Sequence, residues 1–98
     1  MTRAEVSVEH LKAYLEKTEK ALAKARISPP ERSFHRTMAD DFYRMAKAYF
    51  NDAGHFFDEG DHVNAFACVN YAHGWLDAGA RLGLFDVGED DQLFTLSE

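Results

Sequence analysis

The chain contains two prolines, and they are adjacent: Pro29 and Pro30, inside the run SPPE at 28–31. Proline removes a backbone donor and clashes with the preceding turn, so it is the strongest local veto on a continuing helix. Here that veto falls at one place only, and nothing from 31 to 98 repeats it. A second break is written differently. The run EGD at 59–61 offers Gly60, which takes positive φ easily at a helix end, and Asp61, a preferred N-cap for the helix that follows. Strand-like alternation is absent. The two breaks therefore divide the sequence into three helical segments, expected at about 7–27, 29–59 and 62–85. At the first break Ser28 is expected as N-cap, with Pro29 at the first helical position and Glu31 closing a capping box. Thr2 or Ser7 is expected to cap the first helix. The fold expected is all-α: an up-down-up three-helix bundle over residues 1–86, with a short acidic C-terminal tail over 87–98. Its 98 residues suit a single domain. The tail carries Leu93, Phe94 and Leu96, which either fold back onto the bundle or await a partner.

The helical faces differ in kind. In the first segment Val8, Leu11, Leu15, Thr18, Leu22 and Ala25 recur at steps of three and four, one narrow stripe. In the second, Phe34, Met38, Phe42, Met45, Tyr49, Ala53 and Phe56 form a stripe that Tyr43, Ala46, Phe50 and Phe57 widen. The third segment is apolar on two sides: Phe66, Val69, Leu76, Ala80 and Leu84 on one, Ala65, Cys68, Ala72, Trp75 and Leu82 on another. Such a helix is contacted from more than one direction. Gly74, Gly79 and Gly83 lie in it, and a glycine inside a helix costs about 0.5–1 kcal/mol relative to alanine, a cost that close approach of neighbouring backbones offsets.

Charge and composition narrow the functional classes. The net charge is -6. Residues 1–50 hold ten Lys/Arg against seven Asp/Glu, whereas residues 51–98 hold Arg81 against ten acids. A strongly acidic half repels phosphate backbones, so nucleic-acid binding is not expected. The opening residues have no apolar run of signal-peptide type, and no stretch reaches the length of a membrane span. The lone cysteine, Cys68, points to a reducing cytoplasm. No phosphate-cradling loop, Cys/His metal spacing or other cofactor motif is present, and no cofactor is expected.

One constellation invites a chemical reading. Asn70, His73, Asp77 and Arg81 recur at steps of three and four and share one stripe of the third helix. A tight turn at Gly60–Asp61 makes the second and third helices antiparallel neighbours. That register sets Asp52 opposite Asn70, Tyr49 opposite His73, and Arg44 or Met45 opposite Asp77. As a site, the group is a polar pocket with His73 as acid/base and Asp77 orienting it. As structure, it is a hydrogen-bonded network that fixes helix register. No nucleophile paired with a base accompanies it. His55, Glu59 and His62 near the turn form a weak candidate metal site. His55 and His73 are about 10 Å apart along the paired helices, too far to share one ion. The function expected is a non-enzymatic helical module acting by contact with another protein or with itself, as in a homodimer. The alternative is a small-ligand binder or weak enzyme using Asn70, His73, Asp77 and Arg81, with Tyr49 and Asp52.

The positions Asp52, Ala53, Gly60, Asp61, Ala65, Phe66, Asn70, Tyr71, Ala72, His73, Gly74, Trp75, Leu76, Asp77, Ala78 and Gly79 carry a further signal. Over residues 40–86 they make the chain resemble the archaeal family filed as domain of unknown function 357. The resemblance implies a three-helix bundle of archaeal, cytoplasmic origin. It implies no activity and transfers no catalytic residue.

Overall fold

A computed structural model describes residues 7–88 together with 93 and 94. Three helices carry the fold: α1 (Val8–Lys24), α2 (Phe34–Asp58) and α3 (His62–Arg81). A two-residue antiparallel pair, β1 (Arg26–Ile27) and β2 (Phe85–Asp86), ties the α1–α2 connection to the chain leaving α3. The architecture is the all-α three-helix bundle. Ser7 caps α1, its side chain accepting from the His10 N–H. The other cap considered, Thr2, lies outside the described residues, as does Leu96 of the tail.

The boundaries at the double proline differ from those expected. Helix α2 starts at Phe34, with Ser33 as its N-cap: the Ser33 hydroxyl accepts from the Arg36 N–H and donates to the Pro30 carbonyl. The reason lies in the doubling. A residue that precedes proline is pushed out of the α region, and Pro29 itself precedes Pro30, so the helix cannot begin there. Ser28 instead extends the small ladder, its N–H donating to the Leu84 carbonyl at 3.0 Å. That ladder also ends α1 at Lys24, because Arg26 and Ile27 pair with Asp86 and Phe85.

The glycine stop expected at Gly60 holds, and Gly83, expected inside the third helix, ends it instead. Gly60 has φ +80°, with Gly60 N–H bonded to Phe57 O and Asp61 N–H to Phe56 O, the double closure of a Schellman cap. Asp61 then caps α3, accepting from the Asn64 N–H. Gly83 repeats the device at φ +79°, with Gly83 N–H on Ala80 O and Leu84 N–H on Gly79 O. This stops α3 at Arg81, ahead of the expected 85, and frees Phe85 for the ladder.

Helix α2 packs most extensively on α3. Its fully buried residues, Ala39, Ala46 and Ala53, are spaced by seven, as are Ala65, Ala72 and Gly79 on α3. Small residues at these positions allow close backbone approach, while the aromatics sit at the flanks: Phe42 on Trp75, Tyr49 on Tyr71, Phe57 on His62. At Gly79 the space is filled, because a Cβ there would overlap the Phe85 ring and force it to shift. Leu11, Thr18, Ala21 and Leu22 bring α1 into the core. Phe94, from the tail, is 2% exposed and joins the cluster of Leu76, Leu84, Phe85 and Val87. No helix among the described residues is long and apolar enough to cross a membrane.

Candidate functional site

His73 lies in the fourth turn of α3 and is 3% exposed. It faces α1, whereas the turn-based register set it opposite Tyr49 on α2. The ring contacts across α2 and α3 give the reason: Tyr49 meets Tyr71, and the alanine seam directs Ala72 and Leu76 inward, turning His73 toward the α1 side. Both ring nitrogens are engaged. Nε2 lies 2.6 Å from the Leu93 carbonyl oxygen and Nδ1 2.9 Å from Thr18 Oγ1. A carbonyl only accepts, so Nε2 carries the proton, and Nδ1 of the neutral ring accepts from the threonine hydroxyl. One imidazole therefore joins α1, α3 and the tail. Tyr14 and Phe94 flank the ring, with centroids 5.6 Å and 6.4 Å away.

Burial pushes the His73 imidazole below its ordinary value, and Lys17 adds to this, while the Leu93 carbonyl and the Asp77 carboxylate oppose it. Asp77 stands 3.8 Å from Nε2 with its side chain 24% exposed. Asn70 accepts from the Tyr14 hydroxyl at 2.9 Å. Burial, and then Asp77, push the Tyr14 phenol up. The structure therefore brings Asn70, His73 and Asp77 together against Tyr14, Lys17 and Thr18 of α1. Arg81 is exposed at the end of α3. Tyr49 and Asp52 are on α2 and belong to a different side of α3, Tyr49 against Tyr71 and Asp52 beside Cys68. Burial, followed by Asp52, raises the Cys68 thiol and disfavours the thiolate. His55 and Glu59 are exposed, and the His62 ring lies 5.5 Å from that of Phe57. Among the described residues no group of three or more His, Cys, Asp or Glu side chains is placed to hold a metal ion.

Thr18 was legible only in part, and Tyr14, off the apolar stripe, was not. Thr18 is the polar member of the apolar stripe of α1, a position that asks for a buried partner. Nothing in the spacing names that partner. Beside Tyr14 a cleft of about 330 Å³ opens, lined by His10, Ala13, Tyr14 and Lys17.

The outer side of α3 has the opposite character. Val63, Tyr71 and Leu82 are 55%, 53% and 62% exposed, and Ala67, Gly74 and Ala78 lie exposed between them. An apolar dimple of about 190 Å³ is lined by Tyr71, Gly74, Trp75 and Ala78. Arg81 is the one charged residue among the exposed positions of α3.

With this geometry in place, comparison with known families is decisive over one span. Residues 13–85 match the family model described as a protein of unknown function, DUF357. The chain belongs to the DUF357 family. The match reaches back through most of α1, beyond the α2–α3 residues that carry the resemblance in sequence, and so takes in Tyr14, Lys17 and Thr18 as well as His73. No curated protein and no solved structure matches the chain.

Proposed function

We propose that this DUF357 protein is a non-enzymatic helical module that works by contact, through the outer face of α3. The observation that carries the reading is the exposure of Val63, Tyr71 and Leu82 on a helix face with Ala67, Gly74 and Ala78 between them and Asn64 and Arg81 at its rims. Contiguous exposed apolar surface is costly to keep in water and marks interaction sites. The face also differs from a ligand pocket: it is a long stripe, with small residues where another backbone can come close. The wide apolar stripe of α2 supports the reading less well. Phe42, Tyr43, Phe50, Phe56 and Phe57 are partly buried against the core, and Phe34 at the start of the helix is 75% exposed.

A photo-cross-linking residue at Ala78, introduced in cells, tests this. Protein adducts are expected at Ala78 and not at exposed Asn51 on α2. Equal labelling of the two positions, or none at Ala78, overturns the reading.

A second reading rests on the cleft beside Tyr14. Its size is at the low end for small-molecule sites. A ligand there would meet His10, Tyr14 and Lys17, with Asn70 and Asp77 of the original polar stripe nearby, but not His73, whose nitrogens are both committed to protein atoms. Proton transfer by His73 is thereby disfavoured, and this alternative is a binder. Thermal-shift screening against metabolites, with Lys17→Ala as control, separates the two: a ligand that stabilises wild type and not the variant favours the cleft.

A further inference from the structure

The outer face of α3 is not only apolar; its pattern is the same read in either direction. The positions 63, 67, 71, 74, 78 and 82 are separated by steps of four, four, three, four and four. Reversed about the midpoint between Ala72 and His73, Val63 meets Leu82, Ala67 meets Ala78, and Tyr71 meets Gly74. Large residues meet at the ends, small ones meet between, and the one aromatic knob falls on a glycine. This is what an isologous two-fold contact requires, because each residue must fit the partner of its own symmetry mate.

We infer that the partner on this face is a second copy of the same chain, its α3 laid antiparallel on the first. The inference rests on the contact reading above and names the occupant. The Tyr71 ring of each copy then sits over Gly74 of the other, at the dimple that Tyr71, Gly74, Trp75 and Ala78 line. A Cβ at Gly74 would find nothing within 4 Å inside its own chain, so that space is open on the outside. Trp75 lines the same dimple, half-buried against Phe42 of its own chain.

Charge selects the antiparallel arrangement over the parallel one. In parallel, the two Arg81 side chains would stand together; in antiparallel they are about 25 Å apart along the helix axes. The same reversal sets Arg81 opposite exposed Asn64, whose side-chain amide oxygen accepts from a guanidinium. The stripe is about 30 Å long and one helix wide, less than the roughly 800 Å² per partner of a standard stable complex. The dimer is therefore weak and dependent on concentration.

Sedimentation of the full chain from about 10 μM to about 1 mM reads the equilibrium directly. The sole tryptophan, Trp75, supplies a second signal, because its emission shifts as the dimple fills. A reversible monomer–dimer equilibrium is expected. Gly74→Glu should weaken it at least tenfold while leaving the folded monomer intact by circular dichroism. In a Cys68→Ser background, the pair Ala67→Cys with Ala78→Cys should oxidise to covalent dimers, and Val63→Cys alone should not. A monomer across the whole range overturns the inference, as does ready cross-linking of Val63→Cys to itself, which would mean a parallel pairing. The contact reading fails separately, on loss of the Ala78 adducts. A monomeric chain that still gives Ala78 adducts keeps the module and assigns its face to a helix of another protein.

Discussion

The two long sides of α3 invert the usual arrangement of a surface helix. Its side toward α1 holds buried His73, with Asp77 half-buried and Asn70 exposed at the edge; its outer side, toward solvent, holds Val63, Ala67, Tyr71, Gly74, Ala78 and Leu82. Polar groups turned inward survive only if their hydrogen bonds are made, and His73 makes two. Apolar groups turned outward persist where something covers them. The comparison teaches that polarity in the middle of a helix is poor evidence of chemistry. The residue that looks most reactive, His73, is the one that bridges three elements, while apolar Val63, Tyr71 and Leu82 stay exposed.

The largest break in this comparison is expected from His73→Ala. Truncation leaves a cavity between three elements and removes the partner of a buried threonine hydroxyl and of the Leu93 carbonyl. The loss should be about 3 kcal/mol, a fall in melting temperature of more than about 12 °C for a domain of this size. A fall of under a few degrees by calorimetry would show that the inner side is not structural. The same group gives a pH signature whose sign follows from its environment. Burial depresses the folded-state value, so the unfolded chain binds the proton more readily. The contribution is fully present above the ordinary histidine range near 6.5 and is lost as pH falls through it. Denaturant midpoints should therefore drop from pH 7.5 to pH 5, and His73→Gln should flatten the dependence. A midpoint that rises on acidification contradicts the neutral, buried ring.

Glycine substitutions sharpen the contrast between seam and surface. Gly79→Ala drives a Cβ into the Phe85 ring, and about 2 kcal/mol should be lost through overpacking. Gly74→Ala, five residues away, adds its methyl to open space. It should raise stability by about 0.5–1 kcal/mol through helix propensity, measured by urea titration at low protein concentration. Equal effects at the two sites would mean that the two sides of α3 do not differ as described.

Much of the fold was legible because its signals are local. Gly60 and Asp61 mark the α2–α3 junction by backbone rules that need no neighbour, and both are used as the rules require. The same rules apply at Gly83, where the apolar periodicity through Leu84 and Phe85 hides the stop. At Ser28 a local rule was outweighed by another: the capping pattern is genuine in form, but the second proline forbids the conformation it needs. The candidate site fared less well, because His73, Asn70 and Tyr49 were joined by a register counted from the turn. A shift of two residues along a helix rotates a side chain by about 200°, enough to exchange one neighbouring helix for another.

The sequence by itself determined three helices, their order, the cap at Gly60 and the shared stripe of Asn70, His73 and Asp77, since each depends on the spacing of residues along one segment. Only the tertiary structure decided which neighbour that stripe meets, that the tail returns Leu93 and Phe94 to it, and which apolar residues stay outside. The physical reason is that spacing sets a direction around one helix axis. What lies in that direction depends on how closely Ala39, Ala46 and Ala53 let α2 approach α3, and closeness is a property of the pair.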